Sequence, residues 1–160
     1  MQAAESGDWK TVVVQAVVDT SAQVANDCVG GLLTFSNVVA GRRPNRQAGW
    51  VRHAAALDKA AQATNYSLFL FDANPSASTF VTNGALSIHD NDIGKLIGVI
   101  DLSTAIAGTA SVGRTPANTF VGIPFVIPSG RDLYGIAICS GTPTYGATTD
   151  LSFAITVQQL

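Results

Sequence analysis

Charge is what this sequence has least of. Only 12 % of its 160 residues are Asp, Glu, Lys or Arg, about half of the roughly 25 % usual for a soluble domain. Its surface must then be built from Ser, Thr, Asn, Gln, Gly and Ala, and such a surface is weakly protected against association. We therefore expect a protein that works in contact with copies of itself or with neighbours. Formal net charge is −2, which argues against a nucleic-acid partner, because that would call for a basic face. Glutamate occurs once, at Glu5, so the facing carboxylates of a glycoside hydrolase have little to draw on. No apolar run approaches the roughly 20 residues of a transmembrane helix, and no membrane partner is expected. MQAAESGDWK lacks the charged-then-apolar layout of a secretion signal. Cysteine occurs twice, at Cys28 and Cys139. Two reduced, buried thiols are expected, and spacing alone leaves a disulfide open.

Catalytic and metal-binding patterns are also missing. There is no GxSxG elbow for a serine nucleophile and no GK[ST] ending for a phosphate loop. PSGRD (128–132) reads as a turn before a strand. His53 and His89 stand far apart, whereas zinc needs three or four convergent ligands. HDNDIGK begins like a calcium loop at Asp90 and Asp92. Its fifth position is Gly94, its sixth is Lys95 and its twelfth is Asp101, so the ligand pattern fails. A turn or a short helix capped by Asp90 or Asn91 is expected there. No enzyme activity, cofactor or metal is expected.

What is present is strand after strand. KTVVVQAVVD (10–19), GLLTFSNVV (31–39), GWVRHAAALDK (49–59), YSLFLFD (66–72), LIGVIDLS (96–103), NTFVGIPFVIP (118–128), DLYGIAICS (132–140) and DLSFAITVQQL (150–160) are short and rich in Val, Ile, Phe and Thr. They alternate with period two, and Gly, Pro, Asn, Asp and Ser fill the connectors between them. About eight strands without helices predict an all-β, single-domain antiparallel β-sandwich over 1–160, jelly-roll-like, with 1–9 as an extended arm. Gly30 and Gly31 predict a bulge or positive φ in the second strand. LFLFD carries bulk on both faces, which predicts cover on both sides, by the core and by a partner. Pro124 and Pro128 predict an edge position for their strand. Phe120, Ile123 and Phe125 on that edge then become candidate interface residues.

Arginine is concentrated. Arg42, Arg43 and Arg46 fall within GRRPNRQAG (41–49), a third of the nine basic residues. Such a loop reads as a solvated turn, as bidentate contact with carboxylates of a neighbour, or, last, as a contact with phosphate or nucleic acid, for which a protein facing a packaged genome would want more positive charge. Trp50 follows it on a strand and reads as core or interface. Trp9, Trp50, Tyr66, Tyr134 and Tyr145 are the residues that could stack on a sugar, with Tyr145 placed in an open loop.

AQVANDCVGGLLTFSNVV, GWVRHAAALDKAAQATNYSLFLFDANPSAS and NGALSIHDNDIGKLIGVIDL together resemble a family of tailed-bacteriophage virion proteins. The match runs through Asp27, Val29, Gly30, Gly31, Leu33, Thr34 and Phe35, then Leu57, Asp58 and Lys59. It continues through Leu68 to Asp72 and ends with Asn83, Ala85, Asp90, Asp92, Ile97 and Gly98. It covers roughly residues 20 to 105, with Cys28 in place of the usual small or β-branched residue. The resemblance implies a non-enzymatic structural protein of the particle. Its foremost form is a capsid decoration or cement protein contacting the major capsid protein, made in the host cytoplasm and carried on the virion. A neck, tail or baseplate component is the alternative within that class, and a carbohydrate-binding module for host attachment is the alternative outside it. By analogy a homo-oligomer is expected, a trimer first, since that suits three-fold points of a shell.

Overall fold

Alternating side chains become eight strands. The computed structural model describes residues 8–39, 47–62, 64–103 and 119–160, the side chains of Thr119 and Phe120 excepted. In order these are β1 (Trp9–Ala16), β2 (Cys28–Phe35), β3 (Gln47–Asp58), β4 (Tyr66–Phe71), α1 (Asp90–Ile93), β5 (Leu96–Leu102), β6 (Thr119–Ile127), β7 (Leu133–Cys139) and β8 (Leu151–Gln159). They pair into two antiparallel sheets, β1-β8-β3-β6 and β2-β7-β4-β5. All connections but β4–β5 cross from one sheet to the other, and this interleaved order is that of a jelly roll. The expected all-β sandwich of eight strands is therefore what the chain forms. The expected arm over 1–9 lies largely outside the described residues, and its last member, Trp9, opens β1 opposite Gln158.

The core lies between the sheets. Leu33 and Phe35 of β2 and Leu68 and Leu70 of β4 meet Val51 of β3 and Phe153, Ile155 and Val157 of β8, all essentially without solvent contact. Each such side chain contributes about 1.5–3 kcal/mol relative to exposure. Tyr66 meets Phe153 edge to face at 5.6 Å, a geometry that aromatic quadrupoles favour. β2 bends at Gly30 and Gly31, both at positive φ, where its register against β7 shifts. A Cβ on Gly30 would sit 2.4 Å from Cβ of Ala16, so only glycine lets β2 come this close to the end of β1.

The two outer faces differ. That of β2-β7-β4-β5 carries Phe69, Phe71, Ile136 and Ile138, and the long β4–β5 connection lays Phe80, Leu86 and Ile88 over them. LFLFD is thus covered on both sides as its composition suggests, but the second cover is the chain's own segment rather than a partner. That connection is pinned at its middle and near its end. Asn83 accepts from the Val24 amide at 2.8 Å, and Asp92 accepts from Ser78 and Lys95. Among the described residues, no comparable segment lies over the outer face of β1-β8-β3-β6.

Candidate interaction surface

Strand parity decides what this outer face presents. On β1, Trp9, Thr11, Val13 and Gln15 point outward while Val12, Val14 and Ala16 point in. The register lines these up with β8 and β3 in rows across the sheet. The first row runs Trp9, Gln158, Trp50 and, on β6, Pro124. The second joins Thr11 to Thr156, whose hydroxyls are 2.9 Å apart, and to His53. Val13, Ala154 and Ala55 form the third, and Gln15, Ser152 and Leu57 the fourth.

A bulge in β3 modifies the first two rows. Val51 and Ala54 both face the core, and the register shifts between Val51 and His53 against both β6 and β8. Two residues fill one outward step, so Arg52 and His53 share the outer side. Arg52 Nε donates to Gln158 Oε1 at 2.9 Å, and its guanidinium lies 5.0 Å from the centre of the Trp50 ring. Hydrogen bond and cation–π contact together fix the side chain. Arg52 and His53 are the ionisable groups of these four rows, which hold no carboxylate and no lysine. Trp9 and Val13 are each 56 % exposed, Val126 is 48 % exposed and Leu57 39 %. The chain has two tryptophans, and both stand in one row of this face.

The candidates read from sequence fare differently. Arg42, Arg43 and Arg46 lie outside the described residues; the nearest described residues are Val39 and Gln47, and Val38 N donates to the Arg131 carbonyl at 2.8 Å. Trp50 is half-buried and outward. β6 is indeed an edge strand, and Phe120 pairs with His53 along the backbone. The placement of Ile123 and Phe125 on an interface is corrected. Phe125 is 3 % exposed, and Ile123 packs against the main core. Their parity turns them inward and leaves Pro124 and Val126 outside. Tyr145 is also corrected: it is 1 % exposed, its hydroxyl is 2.7 Å from that of Tyr66, and burial first of all pushes both phenols upward. It offers no face to a sugar.

Among the described residues, two thiols and one Ser–His–Asp cluster have well-defined structural surroundings. Cys28 lies under the β4–β5 connection and Cys139 in the main core, on opposite sides of one sheet, and both are free thiols. Burial, with Asp27 nearby, pushes Cys28 up to about 11, which leaves it protonated and unreactive at neutral pH. Ser78, His89 and Asp92 come together beside an open cleft of about 250 Å³. They do not form a nucleophile–base pair. Ser78 Oγ donates straight to Asp92 at 2.7 Å, and His89 Nδ1 accepts from the Asn91 amide at 3.1 Å. His89, not Asp90 or Asn91, is the cap of α1. Burial would raise the Asp92 carboxyl, but hydrogen bonds from Lys95 and Ser78 outweigh it and hold the group at about 2.

Trp9 and Gln158 were not legible as partners of Trp50. The signal for Trp9 was present in WKTVVVQA, where Trp9, Thr11, Val13 and Gln15 share one parity. No protein-family model matches the chain, and no curated protein sequence matches it.

Proposed function

We propose that this is a non-enzymatic structural protein of a tailed-phage particle, acting on the capsid as a decoration or cement protein. The observation that carries the reading is the outer face of β1-β8-β3-β6. It is nearly uncharged, it exposes large apolar groups, and it sets two tryptophans and a fixed arginine in adjoining positions. Tryptophan and arginine are enriched among residues that dominate protein–protein contacts, and bare apolar faces mark interaction sites. The sequence resemblance over residues 20 to 105 supplies the setting. Coat protein, other virion proteins and sister subunits are the partners of such a face. Many weak contacts repeated over a shell stabilise it without any one being strong.

Cosedimentation with coat shells assembled without this protein tests the reading. The purified chain should pellet with the shells, and Trp9→Ala with Trp50→Ala should reduce the bound fraction. A chain that stays in the supernatant with intact shells contradicts the decoration role. One observation favours a second reading. Two indoles in a row with the Gln158 amide between them also suit stacking on a saccharide, and a glycan array would detect it.

A further inference from the structure

We infer that the outer face of β1-β8-β3-β6 is the interface between two copies of this chain, related by a two-fold axis that runs along its rows. The inference rests on the reading of this face as a contact surface and names its occupant. Eight residues of β1 at about 3.4 Å each, by the three strands β1, β8 and β3 about 4.8 Å apart, with β6 beside the first two rows only, give a footprint of about 450 Å². Two such faces bury about 900 Å², at the low end for a specific interface and well under the roughly 1,600 Å² of a standard one. The pair is therefore expected to form at high concentration and to separate on dilution.

Charge and shape choose the axis. A two-fold interface sets every residue against the image of another, so like charges near the axis repel. Arg52 is the permanent charge of the rows and lies toward one end. An axis along the strands would bring the two Arg52 side chains together over β3 and β8. An axis along the rows sends them to opposite ends. Trp50 of one copy then lies over Leu57 of the other, and Trp9 over Gln15. The middle rows, with Ala55 and Ala154, cross where the faces must approach most closely. Large groups at one end and small ones in the middle thus meet a complementary profile, and the two sheets stack about 10 Å apart.

Light scattering after size exclusion, over a dilution series, tests this with the full chain and two variants. Ala154→Arg puts charge at the centre of the interface, and Leu57→Lys places a cation opposite Arg52 of the other copy. Leu57 is 39 % exposed in the single chain, so Leu57→Lys should leave the fold intact even if Ala154→Arg does not. Melting curves of both check this. The expected result is twice the 16.5 kDa chain mass for the parent and the single mass for each folded variant. A parent of single mass at its highest soluble concentration overturns the inference, as does a three-fold mass or a folded Leu57→Lys variant that stays paired. The function above is judged separately. A monomeric parent that pellets with coat shells, and loses this in Leu57→Lys, keeps the contact reading and makes coat protein the occupant. A monomeric parent that binds a glycan array instead makes the face a sugar site.

Discussion

Gly30 and Gly130 have the same backbone angle, φ +82°, in different surroundings, and replacing each by alanine separates two costs. At Gly130, in the β6–β7 turn, nothing lies within 4 Å of the added Cβ. Only the left-handed conformation is penalised, by about 1–2 kcal/mol, and alanine's stiffer unfolded chain offsets about 0.4–1 kcal/mol of that. Gly130→Ala should therefore cost about 1 kcal/mol. At Gly30 the same penalty applies, and the new Cβ would also stand 2.4 Å from Cβ of Ala16. Overpacking of this kind costs about 1–3 kcal/mol, so Gly30→Ala should lose about 2–4 kcal/mol. Urea denaturation gives both numbers if the slope is unchanged. In a thermal melt, at about 2–4 °C per kcal/mol for a chain of this size, the second variant should fall well below the first. Equal losses would refute the reasoning, because they would mean that β2 does not approach Ala16 at its bulge. A subsequent Ala16→Gly change should recover part of the loss in Gly30→Ala and none in Gly130→Ala.

Three further outcomes are expected. Tyr66→Phe and Tyr145→Phe should each cost about 1–3 kcal/mol by leaving a buried hydroxyl short of a partner, and the double variant should cost less than the sum; strict additivity would mean that the 2.7 Å contact contributes nothing. Asp92 has a folded value of about 2 against 3.8 unfolded, so its contribution is present above 3.8 and is lost as pH falls through about 2. Melting temperature should drop across that window in the parent and less in Asp92→Asn, and identical profiles would contradict the account. Alkylation with a thiol reagent should leave Cys28 and Cys139 unmodified in the folded protein and modify both after unfolding, and an intramolecular disulfide formed without unfolding would contradict their placement on opposite sides of the sheet.

Much of the framework was legible because it depends on local rules. Alternation located the eight strands, Pro124 put β6 at an edge, and Gly30 and Gly31 announced the bulge in β2. What stayed hidden depends on pairing over long distances. Tyr145 sits among Gly and Thr in a loop composition that suggests exposure, yet its hydroxyl partner is Tyr66, 79 residues away. Ile123 and Phe125 attracted attention as apolar groups on an edge strand. Their parity, which turns them into the core, is fixed only by the register of β6 against β3. The row Trp9, Gln158, Trp50 draws on both ends of the chain and its middle. No window of sequence contains it, and only the order β1-β8-β3 creates it. The second cover of LFLFD had the same origin, since Phe80, Leu86 and Ile88 return from the connection that follows β4.

The central claim is that this chain is a structural component of a particle, present wherever that particle is. Quantitative mass spectrometry of purified virions from a phage that carries this gene tests it most directly. The account expects the chain in the particles at a fixed, high ratio to coat protein, retained through washing at moderate salt. Virions that are complete and infectious without it, with the chain recovered only from the soluble lysate, would contradict the account.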